Sequence, residues 1–244
     1  MPPSTVTTQP RAAPIHPALD IDGLQHGWSA SGPRLFQIPS LRLPQGQSLF
    51  IHGPSGCGKS TLLSLLCGIT PARAGHIRVQ GTDWQTLAGH RKDAWRADHI
   101  GYIFQQFNLL PYLSPLDNVT LPCQFSARRR QGSDAQGGPQ AEARSLLTRM
   151  QLPQSSWHAP SGQLSVGQQQ RVAAARALIG QPTLVVADEP TSALDEATRD
   201  AFMTTFLQAC QDASAAVVFV SHDQRLAHHF QRNCGWQSLT ESGA

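Results

Sequence analysis

The segment that most constrains this chain is Gly53-Pro54-Ser55-Gly56-Cys57-Gly58-Lys59-Ser60-Thr61, a glycine-rich loop closed by a lysine and two hydroxyls. Its fixed positions, Gly53, Gly58, Lys59 and Ser60, are those of a loop that folds backbone N–H groups around phosphate oxygens. The glycines allow that close wrap, the N-terminus of the following helix adds partial positive charge, and Lys59 adds a full one. Such a loop must sit between a strand and a helix, and its flanks read that way. Ser48–His52 is apolar and strand-sized, while residues 59–67 carry Leu62, Leu63 and Leu66 at helical spacing until Gly68 and Pro71 stop them. The Ser60 hydroxyl is placed for Mg²⁺, and Ser55, Gly56, Cys57 and Thr61 complete the expected contacts with a nucleotide. Cys57 also puts a thiol inside the loop, either as a redox-sensitive group or as a small side chain the loop tolerates.

The rest of the chain supplies the sheet that such a loop needs. Residues 183–187 form a wholly apolar strand apart from Thr183, and it runs into Asp188 and Glu189. In an open parallel sheet this is the edge where phosphates bind. Asp188 suits the Mg²⁺ shell through water, which leaves Glu189 to orient and deprotonate an attacking water. Alone, an acidic pair after a strand reads equally well as an ordinary helix start, and the glycine loop is what favours the catalytic reading.

Helix 166–179, strand 183–187, helix 196–210 and strand 215–220 alternate, which implies a parallel sheet covered on both faces. Residues 21–79, apart from the helix after the loop, read as short strands split by turn signals such as Pro44-Gln45-Gly46, with residues 75–81 alternating like a half-buried strand. From about 106 to 163 helical pieces take over, broken by the polar stretch 132–139. The expectation is an α/β domain over residues 21–240 with a mostly parallel sheet, a small antiparallel β region and an inserted helical subdomain. Residues 1–20, rich in Pro, Thr and Ala, read as a flexible tail.

Charge and cysteine content narrow the function classes. The net charge is only +3, and the one dense basic run, Arg128 to Arg130, reads as a solvated loop rather than a nucleic-acid patch, so no nucleic-acid partner is expected. Five scattered cysteines without a Cys-x-x-Cys pair fit neither a disulfide framework nor a zinc site, and they point to a reducing, cytoplasmic setting. No stretch approaches the roughly 18 to 20 apolar residues of a membrane-spanning helix.

Beyond the phosphate loop, three stretches carry a family likeness. Leu164-Ser165-Val166-Gly167-Gln168, then Gln170-Arg171, then Asp188-Glu189-Pro190-Thr191-Ser192-Ala193-Leu194-Asp195, resemble the ATP-binding cassette family, with the likeness spanning about Leu24 to His222. The resemblance implies a P-loop NTPase fold, ATP and Mg²⁺ as ligands, hydrolysis of ATP, and a dimer of two such chains serving transmembrane permease subunits at the cytoplasmic face of the inner membrane. It implies that Ser165, Gly167 and Gln168 meet the γ-phosphate held by a partner chain, and a serine cap at a helix start agrees with that chemistry.

It further assigns Gln105 to Mg²⁺ and the attacking water, His222 to the γ-phosphate, and Asp195 to the loop that crosses to the partner. Trp28 then stacks on adenine, although a tryptophan packed in the small sheet reads as well; Gln105 and Asp195 taken singly read as solvated loop residues. Val166 departs from the family's usual glycine and puts the hydrolysis rate in question. The segment Phe107-Asn108-Leu109-Leu110-Pro111 and the short stretch after His222 look most similar to cassettes of lipoprotein-release and macrolide-efflux systems. A soluble cassette acting in DNA repair or translation is the rival reading; a P-loop kinase is another, which leaves the Ser165 helix and His222 unexplained.

Overall fold

The structure, a computed structural model, describes residues 16–29, 32–191 and 194–243. In chain order the elements are β1 (Leu19–His26), β2 (Phe36–Leu43), β3 (Ser48–His52), α1 (Lys59–Leu66), β4 (Ala74–Val79), β5 (Thr82–Asp83), α2 (Gly89–His99) and β6 (Ile100–Ile103). Helices α3 (Pro115–Thr120), α4 (Pro122–Phe125), α5 (Ala127–Asp134), α6 (Pro139–Arg149) and α7 (Val166–Leu178) follow. The chain then runs through β7 (Leu184–Asp188), α8 (Glu196–Asp212), β8 (Ala216–Ser221), β9 (Arg232–Gly235) and α9 (Trp236–Ser242). Most of the expected tail, residues 1–15, lies outside the described residues; its last two residues, Leu19 and Asp20, already belong to β1.

Among the described residues the strands form two sheets. One is antiparallel, in the order β2-β1-β4-β5; the other is parallel, in the order β6-β7-β8-β3-β9. The parallel register positions the site. β8 lies between β3 and β7, with His52 opposite Ser221 and Asp188 opposite Val220. The glycine loop after β3, the carboxylates ending β7 and the turn after β8 therefore emerge together at one carboxyl edge of the sheet.

The strand period of two divides the core. Phe50 packs with Phe219 and Phe230 on the face covered by α7 and α8, whereas Leu49 and Ile51 pack with Leu62, Leu63 and Leu66 of α1 and with the antiparallel sheet. Each such fully buried side chain contributes roughly 1.5–3 kcal/mol, so both faces of β3 are anchored before the loop begins.

One expectation is corrected here. Arg128 to Arg130 is not a solvated loop: it lies in α5, whose cap Ser126 accepts from Arg129 N at 2.9 Å, and Arg129 is 1% exposed. Its guanidinium donates to the carbonyls of Ala97 (2.8 Å), Ile100 (2.6 Å) and Ile179 (2.9 Å). Those carbonyls belong to the ends of α2 and α7 and the start of β6, where no helical partner remains, and the planar fork of arginine can serve several at once. Burial pulls the Arg129 pKa down to about 10. Gly180 makes the approach possible: at φ +68° it lies so close that a Cβ would stand 2.4 Å from the Arg129 carbonyl oxygen.

Candidate nucleotide site

The glycine loop is shaped from behind and open in front. Gly58 takes φ 115°, and a Cβ there would meet Phe36 and Trp236 at 3.1 Å each, so the loop rests on this edge-to-face aromatic pair, whose rings are 5.1 Å apart. Gly56, at φ 76°, has nothing within 4 Å of the corresponding position, so the loop's outer face is clear for a ligand. Lys59 is buried and arches back across the loop, donating to the carbonyls of Gly53 (2.8 Å) and Pro54 (2.9 Å), with its ammonium 3.9 Å from Glu189 Oε1.

The two carboxylates are treated differently by their surroundings. Burial raises the Asp188 pKa above the usual carboxylate range, and the charge of Glu189 adds to it; the Ser60 hydroxyl donates to Asp188 and, with Lys59, opposes the shift. Glu189 follows with a left-handed backbone, φ 44°, although its N–H still bonds to the Val220 carbonyl at 3.0 Å. That conformation costs a non-glycine residue about 1–2 kcal/mol, and such strain gathers where function fixes the geometry. The Glu189 carboxylate meets His222, whose Nδ1 donates to Oε2 at 2.8 Å.

A cavity of about 390 Å³ is lined by Trp28, Ser55, Gly56, Gly58, Lys59, Ser60, Thr61, Gln105, Asp188 and Glu189, together with Leu35, which the sequence did not single out. Trp28 is 74% exposed and meets the ring of His26 edge-on at 5.3 Å, so it stands at the rim rather than within the small sheet. Gly53 and Cys57 lie behind the lining: Gly53 offers its carbonyl to Lys59, and Cys57 packs against the core beneath the loop. His222 touches the cavity only through Glu189. The oxygen donors of Ser60, Asp188 and Gln105 in the lining suit a hard cation such as Mg²⁺, and the clear face at Gly56 suits phosphate, so both expected ligands fit the residues present.

Four further predicted residues, Ser165, Gly167, Gln168 and Asp195, are not brought into this cavity. Ser165 caps α7 in a reciprocal box, accepting from Gln168 N at 3.3 Å while its own N–H bonds to Gln168 Oε1 at 3.0 Å. Val166, the next residue, takes a helical backbone that valine adopts without strain and leaves its side chain 50% exposed. Gly167 sits beside Leu194. Asp195 caps α8, accepting from Thr198 N at 3.0 Å, a bond that holds its carboxyl below the usual range; Ser192 and Ala193 just before it lie outside the described residues.

The sequence also gave no notice of a strained pair next to Gln105. Phe107 and Asn108 take φ 59° and 48°, and Arg176 of α7 donates to both of their carbonyls, with Asn108 at 2.7 Å. Asparagine tolerates that region, but nothing local marks the phenylalanine. The bonds tie the segment after Gln105 to the same helix that begins at Ser165.

Comparison with known proteins agrees with this geometry. Residues 36–192 match the family model described as ABC transporter. The lipoprotein-releasing system ATP-binding protein LolD of Novosphingobium aromaticivorans is 38% identical over 79% of this chain and 83% of its own length. The macrolide export ATP-binding/permease protein MacB of Syntrophobacter fumaroxidans is 40% identical over 79% of this chain, which corresponds to 26% of that longer protein. Among solved structures, the ATP-binding cassette MJ0796, dimeric in a post-hydrolysis state with ADP and Pi, superposes with a TM-score of 0.75 at 30% identity over 89% of this chain and 93% of that one.

Proposed function

The chain belongs to the ABC transporter family, and on that premise we propose that it is the ATP-hydrolysing subunit of a membrane transporter, closing as a homodimer on two ATP molecules and driving transmembrane permease subunits. The observation that carries the reading is the Glu189–His222 pair, poised at 2.8 Å beside an open phosphate loop. The loop N–H groups and Lys59 hold the β- and γ-phosphates, and Trp28 covers the adenine. Ser60, Asp188 and Gln105 hold Mg²⁺, which when bound neutralises charge on the phosphate oxygens. Glu189 takes a proton from the attacking water while His222 orients that carboxylate and meets the γ-phosphate. Ser165, Gly167 and Gln168 complete the site from the partner chain, with Asp195 crossing the interface.

The cassette runs from β1, whose first residue is Leu19, to about residue 240, and the helical part, about 106–163, transmits closure through Gln105. Beside that segment, Tyr102, Phe104 and the 75% exposed Phe125 edge a cavity of about 360 Å³ that offers the permease a docking place. No described helix is long and apolar enough to cross a membrane; the relatives' pairing with permeases supports attachment to the cytoplasmic face through such partners. A role on nucleic acid has little surface to work with, since the centre of the one dense basic run is turned inward.

The test is Glu189→Gln, which keeps the shape and the hydrogen bond but removes the base. ATP binding should persist, hydrolysis should fall by about 10²–10⁴, and the dimer should accumulate with ATP on size exclusion. Unchanged turnover would remove Glu189 from the role of base.

A further inference from the structure

Far from the glycine loop in sequence, three side chains converge whose chemistry the nucleotide site does not use. Asp200, His228 and His229 bring their ligating atoms within 4.8 Å of one another, and none lines the nucleotide cavity. Asp200 lies on α8, a little over one turn past the cap Asp195, and the histidines end the short 3-10 helix Gln224–His229, which begins two residues after His222.

The hydrogen bonds already prepare the donors. His228 Nδ1 is 2.6 Å from the Arg225 carbonyl oxygen, which can only accept, so Nδ1 carries the proton and the exposed Nε2 presents a lone pair. A carbonyl fixing the far nitrogen is the usual support of a metal-binding imidazole. His229 Nε2 stands at the long distance of 3.4 Å from Asp200 Oδ1, and the two imidazole rings are 4.0 Å apart, so the three side chains meet at one place on the surface. Two nearby guanidiniums do not repel a cation outright. Arg199 bonds to Asp223 at 2.8 Å, lies 3.6 Å from Glu196 and donates through Nε to Asp200 Oδ1 at 3.3 Å, and Arg225 bonds to Asp223 at 2.9 Å, so three carboxylates face two arginines and an ion at Asp200 competes with the Arg199 contact.

We propose that Asp200, His228 and His229 form a site for a borderline transition-metal ion, Zn²⁺ in chemical class, that ties the 3-10 helix to α8. Two imidazole nitrogens and one carboxylate oxygen suit Zn²⁺, Ni²⁺ or Co²⁺ and not Mg²⁺ or Ca²⁺. Around an ion with bonds of roughly 2.0–2.2 Å the donors stand about 3.4 Å apart, so the observed cluster closes by an adjustment of the exposed His228 side chain. Binding at His229 Nε2 displaces the proton facing Asp200, which moves to Nδ1 or to solvent, leaving a neutral ligand. Because the tie joins the segments that carry His222 and Asp195, an ion here restrains both and slows the nucleotide cycle; this second half rests on the function proposed above, whereas the binding does not.

The experiment titrates the full chain with Zn²⁺ by calorimetry and with Co²⁺ by visible absorption. One ion per chain with a micromolar Kd is expected, with weak d–d bands and no thiolate charge-transfer band. The double variant His228→Ala/His229→Ala should bind more than tenfold more weakly and Asp200→Asn severalfold more weakly, while Glu189→Gln binds as the parent does. Equal binding by the double variant, or a thiolate band, overturns the site. For the restraint, Mg-ATP turnover at buffered free Zn²⁺ should fall severalfold in the parent, recover with chelator and stay constant in the double variant. Binding without that fall overturns the restraint and leaves the site standing, whatever becomes of the transport reading.

Discussion

Glu189 and His222 form a unit in which each residue has one structural reason to be there. Glu189 takes a left-handed backbone, and its carboxylate is held by His222 Nδ1 at 2.8 Å. His222→Ala should therefore leave ATP affinity within a few-fold while lowering kcat by about 10²–10³, the range of a lost orienting or transition-state contact; a fall confined to KM would assign His222 to binding alone. His99 makes a second residue-scale case, concerned with stability. Burial, with the charge of Arg128 adding to it, holds its imidazole near pKa 4 against 6.5 when unfolded, and its Nδ1 sits 2.8 Å from Thr183 Oγ1. Between those values the unfolded chain binds a proton that the folded chain refuses, so stability falls as pH drops from 6.5 toward 4, and above 6.5 the group adds no pH dependence. Urea unfolding of His99→Gln at about pH 7.5 and 5 should show a smaller loss between the two than the parent; an equal loss would place the acid sensitivity elsewhere.

At the scale of elements, what the sequence revealed follows from where the determining forces are local. The β3–loop–α1 unit was legible because its glycines, lysine and leucine spacing act within one short stretch, and Ser48–His52 stands as read. Strand β7 runs to Asp188 and β8 to Ser221, one residue past their apolar stretches, because pairing across the sheet sets those ends. Helix α8 runs to Asp212, beyond its last buried cysteine, since two polar residues there break no helical rule. Helix α2, β9 and α9 carry too little periodic apolar pattern to be read at all. The basic run is not legible locally for a different reason: its role depends on three chain ends meeting around Arg129, which no local pattern records. That dependence predicts a large effect. Arg129→Met leaves several buried carbonyls unpaired at about 1–3 kcal/mol each, so a loss of about 3 kcal/mol and a Tm lower by about 10 °C are expected by calorimetry. Arg129→Lys should rescue little, because one ammonium cannot serve the same fork; a Tm within 2 °C of the parent would mean that water replaces the guanidinium.

For the whole molecule the informative feature is that the glycine loop and the capped start of α7, the two parts proposed to meet phosphate, share one chain without lining one cavity. The loop is open at Gly56, while the capped start of α7, with Ser165, Gly167 and the half-exposed Val166, is absent from the cavity. In the dimer proposed above, each chain's helix start would lie over the other's loop, and two copies of one surface would then make two identical sites. The sequence carried the motifs of both halves, but their separation within one chain is a fact of the fold. Lys59→Ala removes the loop's charge and Ser165→Arg blocks the helix start, so either variant alone should be inactive. Mixed in equal amounts, half of the dimers pair one of each, and such a pair keeps a single intact site: the Lys59 of one chain facing the Ser165 of the other. Turnover should therefore return on mixing to roughly a quarter of the parent's per chain, and parent turnover per chain should fall on dilution as dimers part. If mixing restores nothing although both variants still associate with ATP, the composite site is wrong and each loop must work with residues of its own chain.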